Sequence, residues 1–139
     1  MAKVFIDTNI FVRTVVIEDE DVSGDCERLL GLVRENKIRA MTSNLVLAEV
    51  VWVLGSYYKK NRTQITEVIE AIIGLRGLDL VDRVDPVWAV RKYKKHGVKF
   101  VDALVASMKP IREKAWIVVS YDKDFDKLGV VRKEPKELV

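Results

Sequence analysis

The sequence predicts an α/β protein, a three-layer α/β/α sandwich on a mainly parallel central sheet. Two observations predict it. Short β-prone apolar runs alternate with amphipathic stretches of about 10 to 15 residues, the rhythm of strand–helix units whose crossovers keep neighbouring strands parallel. The first strand candidate, Val4-Phe5-Ile6, is also a continuous apolar run without alternation, as burial on both faces demands.

Val4-Phe5-Ile6 is the first such run, and Asp7-Thr8-Asn9 ends it with groups able to cap a helix over Ile10 to Val16. Glu18 to Gly24 is acidic and reads as a loop. Cys26, Leu29, Leu30 and Val33 then recur at helical spacing within Asp25 to Asn36. Ala40-Met41-Thr42 is a second strand, with Ser43 or Asn44 capping a helix from Leu45 to about Tyr58 whose first turns are apolar all round. Thr63 to about Leu75 is a further amphipathic helix after the turn Lys59-Lys60-Asn61-Arg62. Leu78 to Val81 is a short strand, and Pro86 opens a helix that runs to His96-Gly97. Asp102 begins a helix through Ala106. Pro110 must stop that helix near Met108 or kink it, and the expectation is a kink. Trp116 to Val119 is the strongest strand signal, Val130-Val131 a possible edge strand, and Lys133 to Glu137 a loosely held tail.

The chain has 139 residues, 49% hydrophobic and 32% charged, which describes one folded unit over residues 1–139 with its own core. The net charge of +3 permits a polyanionic partner without requiring one. A single cysteine, Cys26, forms neither an internal disulfide nor a thiolate metal site, and is expected as a small apolar residue on a helix. The lone His96 excludes a multi-histidine metal cage. With no signal peptide and no apolar run of the roughly 20 residues that span a bilayer, the chain is expected in the cytoplasm.

Four of the 21 acidic residues stand where acids are out of place. Asp7 follows Val4-Phe5-Ile6 directly, and Asp122 lies just past Val119, so both sit beyond strand tips, where open parallel sheets bind ligands. Glu49 is the sole polar residue between Leu45 and Leu54, so it lies in or beside packed apolar surface and needs a partner. Asp102 is set into Phe100-Val101-Asp102-Ala103-Leu104-Val105-Ala106 near a helix start, where the dipole favours its charge by roughly 0.3–1 kcal/mol. Gathered in one pocket, such anions repel, and a hard divalent cation relieves them. Oxygen donors without histidine or cysteine suit Mg²⁺ or Mn²⁺ and argue against zinc. Such ions activate water and stabilise the charge that builds on a phosphodiester during displacement. Asp7 and Asp102 are expected to touch metal directly, Glu49 and Asp122 directly or through metal-bound water. Each acid also has a plainer role open to it: a helix cap for Asp7 or Asp102, a solvated turn with Asp124 and Asp126 for Asp122, and a core ion pair with Arg13 for Glu49.

These segments resemble the PIN-domain family, especially toxin-like nucleases of the VapC type. The resemblance rests on Phe5-Ile6-Asp7-Thr8-Asn9-Ile10-Phe11, on Ser43-Asn44-Leu45-Val46-Leu47-Ala48-Glu49-Val50-Val51, on the run around Asp102, and on Val119-Ser120-Tyr121-Asp122-Lys123-Asp124-Phe125. It implies Mg²⁺- or Mn²⁺-dependent endonucleolytic cleavage of RNA, an acidic quartet at Asp7, Glu49, Asp102 and Asp122, and hydrogen-bonding support from Asn9 and Ser120. It further implies a homodimer and a small antitoxin protein as partner. The extra Asp124 and Asp126 leave the fourth acid open.

Arg91, Lys92, Lys94, Lys95 and Lys99 form a basic patch before Asp102 that reads first as a solvated helix face, with contact to an RNA backbone as the functional alternative. Trp52 is expected in the core, Tyr57 and Tyr58 on a dimer or antitoxin surface. Three rivals remain. A haloacid-dehalogenase-like phosphatase needs a second acid where Asn9 stands, a phosphorelay receiver needs paired acids near the first strand, and neither explains Glu49. A non-catalytic PIN-like protein that binds RNA or another protein stays open.

Overall fold

A computed structural model describes residues 1–139. Five parallel strands form one sheet: β1 (Lys3–Ile6), β2 (Arg39–Thr42), β3 (Leu78–Leu80), β4 (Ile117–Val119) and β5 (Arg132–Lys133), in the order β3-β2-β1-β4-β5. The central strand is the most apolar: Val4, Phe5 and Ile6 are fully buried, paired with Ala40 and Met41 on one side and Ile117 to Val119 on the other.

From β1 the chain moves outward to β2 and β3 through α1 (Thr8–Val15), α2 (Glu20–Arg34), α3 (Asn44–Trp52) and α4 (Arg62–Ile73). It then crosses back to β4 through α5 (Pro86–Lys95), α6 (Phe100–Ala106) and α7 (Lys109–Arg112). Parallel crossovers are right-handed, so this reversal of direction places the first four helices on one face and the last three on the other. The reversal also makes the gap between β1 and β4 the switch point of the sheet, where the loops leaving two adjacent strands part and open a crevice.

Several boundaries differ from the expected ones, each for a local reason. Glu18 to Gly24 is mostly helix and not loop: Asp19 accepts from the amides of Asp21 and Val22, and Glu20 and Asp21 sit where the helix dipole favours anions. The helix after β2 is not uniform to Tyr58; α3 ends at Trp52 and a π-turn follows at Val53–Tyr57, closed by Tyr58 N donating to Val53 O. The helix at Asp102 starts earlier, at Phe100, which leaves Asp102 in its first turn. Pro110 does not kink that helix. Met108 turns extended after Ser107, and α7 begins afresh with Pro110 in its first turn, where no amide is needed. The last strand lies at Arg132–Lys133, beyond Val130-Val131, and the tail is held: Pro135 is buried and Glu134 and Glu137 cap a final 3-10 turn. Gly77 enters β3 at φ +89 with its Cα so close to Val33 that a Cβ would lie 2.5 Å from the Val33 carbonyl, a place only glycine fills.

The core is one cluster spread over both faces of the sheet, from Phe5, Phe11 and Leu29 to Met108, Ile111 and Phe125. Cys26 lies in it, as expected, with its sulfur 3.7 Å from the Tyr121 hydroxyl. Trp52 does not. It is 65% exposed, because α3 is covered on one side only. No helix is long and apolar enough to cross a membrane.

Candidate active site

The carboxyl ends of β1 and β4 bring Asp7 and Ser120 together. Asp7 is the residue before α1, yet its carboxylate makes no side-chain cap, so the plain helix-cap reading does not describe it. Instead Asp7 Oδ2 accepts from the Ser120 hydroxyl at 2.6 Å and from Asn9 Nδ2 at 3.4 Å. Asn9 Nδ2 also donates to Ser120 Oγ at 3.0 Å, and its Oδ1 accepts from the Tyr121 amide. Ser120 Oγ accepts in turn from the Asp122 amide at 3.0 Å. One hydroxyl thus ties the first acid to the backbone of the last. Asn9 and Ser120 therefore both donate to Asp7 and are bonded to each other.

Asp7 is 4% exposed and Asp102 1%. Burial pushes the Asp7 carboxyl up to about 6 against the Ser120 hydrogen bond, with the Glu49 charge adding to the rise. Burial, and then the charge of Asp7, pushes Asp102 up to about 9. Asp102 Oδ2 has no hydrogen-bond partner, and the nearest cation, Lys99 Nζ, stands 4.0 Å away. An orphaned, dry carboxylate oxygen beside other acids is costly unless a positive charge meets it.

Asp122 caps the 3-10 turn Lys123–Leu128 by accepting from the Asp124 amide, and its Oδ2 lies 3.2 Å from Lys99 Nζ. Burial pulls its carboxyl upward, but the Asp124 amide, Asp102 and Lys99 outweigh that and leave it below the ordinary value. The 3-10 turn also folds Asp124 back. Asp102, Asp122 and Asp124 each offer an oxygen with all three within 4.8 Å of one another. Asp7 and Glu49 are not part of that tight trio, although the Asp7 charge acts on Asp102. Asp126 is otherwise engaged, gripped at both oxygens by Arg132.

Glu49 is half-buried and accepts from the Thr8 hydroxyl at 2.5 Å. It does not pair with Arg13, which binds Glu18 at 3.0 Å. A cleft of about 250 Å³ is lined by Asp7, Thr8, Glu49, Trp52 and Lys99 among others, so Glu49 and Asp7 face one space. Of the basic patch only Lys99 reaches this cleft. Arg91, Lys92, Lys94 and Lys95 lie on α5, where Lys92 covers the Trp88 ring at 5.2 Å. Thr8 escaped notice in the sequence because its tie to Glu49 joins positions 41 apart. Trp52 had a signal: it follows Glu49 by three residues on a helix, which places both on one side.

A donor set of carboxylate oxygens alone, one of them buried without a partner, fits a hard divalent cation. Asp102, Asp122 and Asp124 are the residues whose oxygens lie close enough together to share one.

The PIN domain family model matches residues 4–131, and the chain belongs to the PIN domain family. No curated protein sequence matches it. Among solved structures it is similar to DNA-bound VapBC from Salmonella typhimurium, with a TM-score of 0.68 and 16% identity over 97% of this chain and 99% of that one. It is also similar to VapBC2 from Rickettsia felis bound to a promoter DNA fragment, with 0.64 and 17% over 95% and 98%. VapC20 from Mycobacterium tuberculosis, a toxin that cleaves the sarcin–ricin loop, is similar with 0.62 and 21% over 92% and 96%. At these identities the likeness is one of fold.

Proposed function

We propose that this protein is a Mg²⁺- or Mn²⁺-dependent endoribonuclease, the toxin of a toxin–antitoxin pair. The observation that carries the proposal is the buried, unpartnered Asp102 Oδ2 set among Asp7, Asp122 and Asp124 at the switch point of a PIN-domain sheet. When bound, the metal supplies charge neutralisation at the phosphodiester and a more acidic water. Asp102, Asp122 and Asp124 would hold it, with Asp7 fixed beside them by Ser120 and Asn9. Glu49, oriented by Thr8, would accept a proton from the attacking water across the cleft. Lys99 would steady the phosphate from the rim.

Partners follow by the same reading. The similar VapBC structures are toxin–antitoxin complexes, which supports an antitoxin partner here. A cleft of about 390 Å³ between α1, α2 and α4, apolar at Phe11, Leu30 and Ile72 and rimmed by Arg34 and Glu67, is the candidate seat for a segment of it. The exposed stripe Val87, Val90 and Tyr93 on α5 supports a homodimer. One folded unit over residues 1–139, working in the cytoplasm, completes the reading.

The test is cleavage of a generic single-stranded RNA by the purified chain with Mg²⁺ or Mn²⁺. Cleavage is expected to stop with EDTA and in the Asp7→Asn and Asp102→Asn variants. Full activity in both variants would remove the mechanism, and metal-independent RNA binding without cleavage would leave a binding module.

A further inference from the structure

We infer that Trp52 is a stacking platform for one nucleobase of single-stranded RNA at the rim of the acid cluster. The inference rests on the ribonuclease reading for its substrate class but on separate residues for its geometry.

Trp52 is the last residue of α3 and lines the same 250 Å³ cleft as Asp7, Glu49 and Lys99. At 65% exposure its indole forfeits most of the burial that such a ring ordinarily contributes. No ring of the chain covers it. The aromatic pairs are Tyr57 with Tyr58 and Tyr93 with Phe100, and the cations that sit over an indole, Lys92 and Arg112, sit over Trp88.

The backbone changes at this residue. The α-helical ladder stops at Trp52 and a π-turn takes over at Val53–Tyr57, an interruption that recurs at functional sites because it re-aims side chains at a cost in hydrogen-bond geometry. Here it ends the helix with the indole at the mouth of the cleft.

Chemistry and size agree on the occupant. The lining joins acids, an ammonium and an aromatic face, which is complementary to the two halves of a nucleotide: phosphate at the acid-bound cation and Lys99, base on the ring. At about 250 Å³ the cleft falls below the roughly 300 Å³ at which drug-sized ligand pockets begin, so it takes a fragment such as one base and its phosphate. Stacking requires an unpaired, splayed base. Every base offers a π face, so this platform selects single strands over duplexes and does not choose among bases. The acids and the ammonium in the same lining disfavour a purely apolar protein helix as occupant.

The test uses the full chain with Ca²⁺ in place of Mg²⁺ or Mn²⁺, so that the acid cluster keeps its counter-charge while binding is read before any strand is cut. Affinity for a six-nucleotide RNA is compared with that for an abasic oligonucleotide of the same length, in wild type, Trp52→Ala and Trp52→Phe. Stacking contributes about one decade of affinity or more per base, so wild type is expected to prefer the base-bearing strand about tenfold. Trp52→Ala is expected to abolish that preference and Trp52→Phe to keep part of it. The RNA is also expected to quench tryptophan emission in wild type and not in Trp52→Ala, where Trp88 and Trp116 still emit. Equal binding of the two strands by wild type overturns the inference. So does a Trp52→Ala variant that keeps the preference, or one whose only change is its sedimentation, which would make Trp52 a protein contact. Base preference without metal-dependent cleavage would sink the nuclease reading and leave this site standing; cleavage without base preference would do the reverse.

Discussion

The Ser120 hydroxyl donates to Asp7 Oδ2 at 2.6 Å and so joins the ends of β1 and β4 across 113 positions of sequence. Both residues are buried, so the bond has no water to replace it. Ser120→Ala leaves that oxygen short of a donor, and a loss of about 1–3 kcal/mol of stability is expected in thermal or urea unfolding. The same bond favours the charged form of Asp7, so its removal is expected to move the acidic limb of the pH–activity profile to higher pH.

Stability without divalent ions is expected to fall as pH rises from 5 to 9. Asp7 and Asp102 are raised in the folded chain from an ordinary 3.8 to about 6 and about 9. The folded state therefore binds their protons more tightly than the unfolded state does. That contribution is fully present below about pH 4, declines as pH rises, and is gone for each group above its folded value. For Asp7 alone the span amounts to about 3 kcal/mol at most. Melting temperatures across this range in EDTA check the slope, and a rise with pH would contradict it.

Asp102→Asn replaces a carboxyl that burial holds protonated at neutral pH with an amide that never ionises. In EDTA at neutral pH the variant is expected to melt higher than wild type, because wild type must take up a proton at Asp102 in order to fold. Addition of Mn²⁺ is expected to stabilise wild type, by about 2.7 kcal/mol at a hundred times its dissociation constant, and to leave the variant unmoved. The same reasoning applies with less force to Asp7→Asn, whose carboxylate already has two donors.

Lys99 and the α5 cations are expected to behave differently. Lys99→Met takes the ammonium from between Asp102 and Asp122, so the variant should be less stable than wild type in EDTA and its cleavage should fall even when RNA is saturating. Lys94→Ala and Lys95→Ala, on exposed positions of α5, should at most reduce the salt dependence of binding by about 0.7 per lost phosphate contact. Affinities measured over a salt series separate the two cases.

Much of the site was legible because acids in apolar runs violate local expectation. Glu49 in an unbroken apolar stretch and Asp102 between Val101 and Ala103 demand partners whatever the fold. Asp7 and Asp122 were legible from strand ends alone. What escaped were relations decided by packing. Arg13 lay within reach of Glu49 on paper, but Glu18 and Tyr58 form a nearer set with it, and Thr8 takes Glu49. Asp124 joins Asp102 and Asp122 only because a 3-10 turn coils the chain back, while its neighbour Asp126 is drawn off by Arg132. Trp52 resisted a reading from residue type, since apolar positions around the whole of α3 do not say which side goes uncovered.

The amino-acid order by itself determined the α/β alternation and the buried parallel sheet, and it marked Asp7, Glu49, Asp102 and Asp122 as acids in unusual surroundings, because period, run length and desolvation act within a few residues. The tertiary structure alone decided that β1 and β4 are neighbours at the switch point, that Lys99 and not the α5 cations reaches the carboxylates, and that Trp52 stands open at the cleft. Those outcomes depend on distances between groups as many as 113 positions apart, and nothing local in a chain encodes a distance that only packing sets.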